Sequence, residues 1–319
     1  MNVNGYAVRL EGVTKRFGRY TAVSGLDLDI PRGVICGLLG PNGSGKTTTI
    51  RMIMGILHPD EGRVDLFGAD PDETRRTRVG YLPEERGVYR KMKCLDLVVF
   101  FAEIRGVPRG EGRKRAKAWI DRLGLGEWAD KKVEDLSKGM QQKIQFIGTV
   151  IHEPELLILD EPFSGLDPIN QDVLEEIVMD FHNRGTTILF STHLMDQAER
   201  LCERVCLISK AHKVLDADLQ ELKAAERKGL LSVEFNGDDT WLQGPEIRQV
   251  DRSNGEALIH LVEGADHQAI LKRAISAGAT IYKFDLVEPR LHEIFVRHAG
   301  GDATGDAGTP LGAHMGGVR

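Results

Sequence analysis

Short, nearly continuous apolar runs alternate over the first two thirds of the chain with stretches whose apolar side chains recur at helical spacing. Val34 to Leu39, Leu156 to Leu159, Thr186 to Phe190 and Val205 to Ile208 are such runs, as is the segment ending at Pro83. They read as strands buried on both faces, the signature of a parallel sheet. Between the last strands, Val173, Leu174, Ile177, Val178 and Phe181 share one helical face. Residues 1 to about 220 are therefore expected to form an α/β domain. Within it, residues about 84–155 read as a mainly helical insert, with helices at Leu95 to Ile104, Arg113 to Leu123 and Gly139 to Ile151. The pattern then changes. Residues 221–299 predict a small α+β domain: strands at Leu231 to Phe235, Ala257 to Val262 and Thr280 to Val287, a helix near Gln268 to Ser276, and a closing helix at Pro289 to Arg297. Residues 300–319 are rich in glycine and poor in large apolar groups, so burial there cannot offset ordering entropy and disorder is expected.

A length of 319 residues suits two domains. With 42 Lys+Arg against 48 Asp+Glu, the formal charge of -6 supplies no global attraction to nucleic acid or to an anionic membrane. The cysteines Cys36, Cys94, Cys202 and Cys206 form no C-x-x-C pair, which argues against a disulfide framework or a zinc site. Cys202 and Cys206 read as buried small hydrophobes. The longest apolar stretch, Leu97 to Ala102, is far below the roughly 18 residues that a membrane span needs, and the first residues lack a basic-then-apolar signal pattern, so the chain alone is expected to be soluble.

The candidate chemistry starts at GPNGSGKT: Gly40, Pro41, Asn42, Gly43, Ser44, Gly45, Lys46 and Thr47, followed by Thr48. This fills every fixed position of the phosphate-cradling loop G-x-x-x-x-G-K-[ST]. The glycines let backbone N–H groups approach phosphate oxygens, Lys46 brings a cation to the β and γ phosphates, and the Thr47 hydroxyl suits Mg2+. The loop joins the strand Val34 to Leu39 to a helix from Thr47, whose positive N-terminus faces an anion. Downstream, LLILDEP sets Asp160 and Glu161 at the carboxyl end of a strand, where open α/β sheets bind ligands. Asp160 suits a water-bridged Mg2+ and Glu161 a general base. His193, in STHLMD, is a candidate donor to the γ-phosphate. Ser137 and Gly139, in LSKGMQQK, open a helix and can offer a hydroxyl and an N–H to phosphate.

Together these segments resemble the ATP-binding cassette (ABC) ATPases over residues 5 to about 220, in both order and spacing. The resemblance implies a P-loop NTPase core with an antiparallel β subdomain and helical insert, ATP and Mg2+ as ligands, and ATP hydrolysis. It makes GPNGSGKT the Walker A loop, LSKGM the signature, LLILDE the Walker B strand with catalytic Glu161, SGLDP with Asp167 the D-loop, and His193 the switch histidine. Phe17, in KRFGRY, stands where the family stacks an aromatic on adenine; a core position is the other reading of that residue. VEPRLHEIF, Val287 to Phe295, resembles the ending of subunits of the ABC-2 export type, including those that extrude sodium or drugs. Two departures stand out. Glu84 in VGYLPEE replaces a glutamine; its carboxylate can ligand Mg2+ but adds negative charge beside the triphosphate, so a sharper metal dependence is expected. Lys138 and Met140 replace a glycine and a polar residue of the signature, which leaves the Ser137 and Gly139 phosphate contacts and removes a polar ribose contact.

The family pairs two cassettes head to tail, so the resemblance implies a second ATPase subunit, identical or related, and a separate transmembrane permease docked near Glu84 to Ile104. The expected location is cytoplasmic, peripheral on the cytoplasmic face of the cell membrane. The competing class is an ABC-type ATPase acting on nucleic acid or ribosomes. A chromosome-maintenance ATPase would carry a long heptad coiled coil between Lys46 and Asp160, and a tandem-cassette translation factor a second P-loop; neither is in the sequence. The basic run Arg105 to Lys117 has no aromatic until Trp119 and reads as a solvated helix face rather than a nucleic-acid surface. No nucleic-acid partner is expected.

Overall fold

The computed structural model describes residues 5–84, 87, 89–226, 229–253, 256–262 and 264–298. The tail 300–319, expected to be disordered, lies outside the described residues, as do parts of the expected permease-docking segment.

The chain opens with a long hairpin, β1 (Tyr6–Phe17) and β2 (Tyr20–Pro31), followed by β3 (Ile35–Leu39) and α1 (Lys46–Ile53). β4 (Glu61–Leu66), the short α2 (Glu73–Arg76) and β5 (Val79–Leu82) come next. The insert supplies α3 (Cys94–Ile104), α4 (Arg109–Arg122) and α5 (Lys138–Val150). Then follow β6 (Leu156–Asp160), α6 (Pro168–Asn183), β7 (Thr187–Thr192), α7 (Met195–Leu201), β8 (Arg204–Ser209), β9 (His212–Asp218) and α8 (Leu219–Ala225). The last part contains β10 (Leu230–Asn236), β11 (Ile247–Ser253), β12 (Glu256–Leu261), α9 (His267–Ser276), β13 (Thr280–Leu286) and α10 (Leu291–His298).

Among the described residues the strands form three sheets. The central one has the order β5-β6-β7-β3-β8-β9 and is parallel except for β9. Every residue of β3, β6 and β7 is buried, which is why their sequences are continuously apolar rather than alternating. The two faces of that sheet feed different cores. Cys36, Leu38, Leu156, Ile158 and Leu189 pack with α1 and with Val8, Leu10, Leu26, Leu28 and Ile30 of the antiparallel sheet β2-β1-β4. Ile35, Leu39, Leu157, Leu159, Ile188 and Phe190 pack on the opposite side with the insert helices, α6 and α7. This is the expected α/β core with its antiparallel subdomain and helical insert.

The small sheet β11-β12-β10-β13 is antiparallel and closes its own core around Trp241, Ile259 and Ile270. Sequence patterning misses β11, because IRQVDRS is an edge strand with little large apolar content. The closing helix α10 belongs elsewhere. Leu291, Ile294 and Phe295 are buried in the main core, packed beside α7, while Arg297 and His298 pair with Glu226 at 2.6 and 2.8 Å. The region expected to be a small separate domain thus returns its last helix to the ATPase-like body, with an apolar stripe at i, i+3, i+4 providing the contact.

Candidate functional site

The carboxyl ends of β3, β7 and β6 lie side by side, with β7 in the middle: Leu39 is in register with Thr192, and Asp160 with Ser191. The sheet order therefore brings together loops that are far apart in sequence. Gly40 leaves β3 at φ 151°, and a Cβ there would lie 2.1 Å from the Ile208 carbonyl oxygen. Gly45 caps α1 at φ 114°, where a Cβ would meet the Ala22 carbonyl oxygen at 2.4 Å. Both positions need glycine on steric grounds as well as conformational ones.

Lys46 is buried at the first position of α1. Its ammonium donates to the carbonyls of Gly40 at 2.8 Å and Pro41 at 3.3 Å, and lies 3.5 Å from Glu161 Oε1. Pro41, Asn42 and Gly43 are exposed, Thr47 and Thr48 half-buried, and the Ser44 hydroxyl is buried without a partner. Tyr20, which sequence reasoning did not single out, donates its hydroxyl to the Gly43 carbonyl at 3.0 Å and so ties the β1–β2 hairpin to the loop. Phe17, at the end of β1, is 48% exposed, which excludes the core reading, and the Lys15 ammonium lies 5.7 Å from its ring centre.

At the end of β6, Asp160 is 1% exposed; its Oδ1 accepts from the hydroxyls of Ser191 at 2.5 Å and Thr47 at 3.3 Å, and its Oδ2 is buried without a partner. Glu161 follows in the left-handed region at φ 48°, uncommon for a residue with a Cβ. Its carboxylate lies between Lys46 and His193, with His193 Nδ1 3.0 Å from each carboxylate oxygen. Ser191 is the second residue that the sequence reading passed over. Its signal is slight: a hydroxyl at the end of an apolar strand, two residues before His193.

Glu84 is exposed two residues beyond β5, the strand paired with β6. Ser137 caps α5, its hydroxyl accepting from Met140 N–H at 3.3 Å, and a Cβ at Gly139 would come within 3.9 Å of Asn170. This segment neighbours the start of α6. Asp167 caps α6, accepting from Asn170 N–H at 3.0 Å, and these hydrogen bonds hold its carboxyl below the usual range. Cys202 and Cys206 are buried, and burial pushes both thiols well above their ordinary range. Along the basic run, Arg109 pairs with Glu103, Arg115 with Glu111 and Glu153, and Arg105 donates to the Arg76 carbonyl.

The orphaned Ser44 hydroxyl and a lysine donating to its own loop's carbonyls fit a cradle built for phosphate. Thr47 Oγ1 and the unpaired Asp160 Oδ2 are hard oxygen donors, the type that suits Mg2+. Among the described residues no group of three or more His, Cys, Asp or Glu is arranged to hold a metal by itself.

Residues 23–164 match the family described as ABC transporter, and residues 218–299 the one described as ATP-binding protein DrrA1-3-like, C-terminal domain. The chain is similar to the uncharacterized ABC transporter ATP-binding protein YhaQ of Bacillus subtilis, with 43% identity covering 91% of this chain and 98% of that protein. It is 33% identical to the daunorubicin/doxorubicin resistance ATP-binding protein DrrA of Streptomyces peucetius, covering 72% of this chain and 71% of that one. Among solved structures, an ATP binding subunit of an ABC transporter superposes with a TM-score of 0.65 at 26% identity, covering 69% of this chain and 92% of that one.

Proposed function

The chain belongs to the ATP-binding proteins of ABC transporters, an ATPase family, and from that premise we propose that it drives export through a separate membrane permease as one of two paired ATPase subunits. The observation that carries this reading is the meeting of Lys46, Asp160, Glu161 and His193 at the ends of three adjacent strands.

Bound ATP takes the place of the loop carbonyls as partner of Lys46, with the N–H groups of Gly43 to Thr47 on the phosphates and Phe17 against adenine. Thr47, Asp160 and Glu84 would hold Mg2+, which would neutralise phosphate charge. Glu161 takes the proton of the attacking water, and His193, already in contact with that carboxylate, orients the same site. Ser137 and Gly139 open α5 near the start of α6, which Asp167 caps, and in this reading they serve the partner's nucleotide with Asp167 beside them. Residues 1–220 carry this chemistry, and residues 221–299 act as an accessory region that supports or regulates the pair. Among the described residues no helix is long and apolar enough to cross a membrane. In this reading the permease is a separate chain and this one sits on the cytoplasmic face. Tyr89 and Ile104, 58% and 55% exposed on the insert side, suit that docking. The paired arginines of the basic run weigh against nucleic acid, and the relatives are transporter subunits.

The test is affinity purification from detergent-solubilised membranes followed by mass spectrometry. A polytopic membrane protein co-purifying in stoichiometric amount, and lost on Tyr89→Arg, is the expected result; recovery of ribosomal or DNA-bound proteins instead overturns the transport reading.

A further inference from the structure

Ser191 is fully buried at the end of β7, between the phosphate loop and the acidic pair. Its hydroxyl faces both acidic residues at once, donating to Asp160 Oδ1 at 2.5 Å and accepting from the Glu161 N–H at 3.1 Å. The same N–H reaches the Ser191 carbonyl at 3.2 Å. Because Thr47 also donates to Asp160 Oδ1, one carboxylate oxygen takes two hydroxyls and the other, Oδ2, is left buried and unpaired. Glu161, in turn, stays in a left-handed conformation that a side chain with a Cβ disfavours unless its surroundings hold it there.

We propose that Ser191 is a positioning residue for the reaction. Its hydroxyl turns Asp160 so that Oδ2 is the oxygen offered to the cation, and its grip on the Glu161 N–H fixes the turn that aims the general base between Lys46 and His193. An apolar residue of similar size would fill the same space but leave Asp160 Oδ1 held only by the longer Thr47 hydrogen bond and the Glu161 N–H with one acceptor fewer. The inference rests on the roles given above to Asp160 and Glu161.

The full-length chain with Ser191→Ala, Ser191→Cys or Ser191→Thr tests it. ATP binding is measured by calorimetry across a Mg2+ series and in EDTA, beside kcat and KM at saturating Mg2+. Ser191→Ala and the near-isosteric Ser191→Cys, which preserves packing should alanine fail to fold, are expected to raise the Mg2+ needed for half-maximal tight binding by about tenfold to a hundredfold, the range for a residue that orients a ligand. They should lower kcat with KM little changed and leave binding in EDTA as in the wild type. Ser191→Thr, which keeps the hydroxyl, should restore most of both. Asp160→Asn is the reference variant. If it leaves the Mg2+ dependence unaltered, the role of Asp160 itself is wrong. If it shifts that dependence while Ser191→Ala and Ser191→Cys behave as wild type, or if Ser191→Thr is as impaired as Ser191→Ala, the positioning role is overturned.

Discussion

At the scale of single residues, the site is a set of opposed charges within hydrogen-bonding range. Glu161, 3.5 Å from the Lys46 ammonium, competes with phosphate for that cation as well as serving as candidate base. Glu161→Gln should therefore keep ATP affinity at or above wild type while turnover falls roughly 10² to 10⁴ fold, about 3 to 5 kcal/mol in barrier. ATP should then trap a dimer on size exclusion; near-normal turnover, or a monomer in ATP, would remove Glu161 from the role. His152 gives a pH prediction. Burial, reinforced by Arg105, pushes its imidazole down to about 4, against the opposing pull of the Val79 carbonyl. A folded value below the unfolded one means that the unfolded chain takes up a proton first as pH falls. Stability is thus intact above about 6.5 and is lost between there and about 4, by about 3 kcal/mol. His152→Gln should flatten that part of the stability curve in chemical denaturation at stepped pH; an unchanged slope would assign the acid sensitivity to other groups.

Among the elements, α10 is the one whose position changes expectations. Ile294 is fully buried against the main core and the Arg297 and His298 pairs tie the helix to Glu226 beyond α8. Ile294→Ala should cost about 2 to 5 kcal/mol by cavity formation and loosen α10, seen as a lowered Tm and faster proteolysis near residue 290. Truncation after Leu222 should show the same destabilisation yet retain ATP binding, because every phosphate-facing motif precedes that point. Loss of binding in a truncated chain with native circular dichroism would bring the accessory region into the site. The helices of the insert were legible in the sequence, α5 with its cap at Ser137, and α6 from the shared face of Val173, Leu174, Ile177, Val178 and Phe181; its cap at Asp167 was not. β11 was not, since its two core-facing residues, Ile247 and Val250, are only partly buried and stand three apart across a register shift, which breaks the alternation.

For the molecule as a whole, Ser137 opens a helix far from Lys46 in sequence, and the proposed pairing has it complete the site of a second copy. Ser137→Arg and Lys46→Ala should each be inactive as ATPases, while mixed dimers of the two should regain part of the activity, because each then holds one site with both lesions and one with neither. Mixed dimers that demonstrably form and stay as inactive as the parents would defeat the composite site. Local sequence was enough to determine the P-loop, the acidic pair and the α/β class. Each of these is written in contiguous residues: glycines that only a tight turn requires, a lysine at a helix start, and apolar runs that only a buried strand explains. What tertiary structure decided were relations between segments. Strand order set β7 between the loop and the acidic pair, which makes Ser191 the partner of Asp160, and the packing of the antiparallel sheet on the central one brings Tyr20 to Gly43. The amphipathic stripe of α10 was visible as a pattern, but an apolar stripe does not name the surface it will bury against; chain geometry sent it to α7 and the main core.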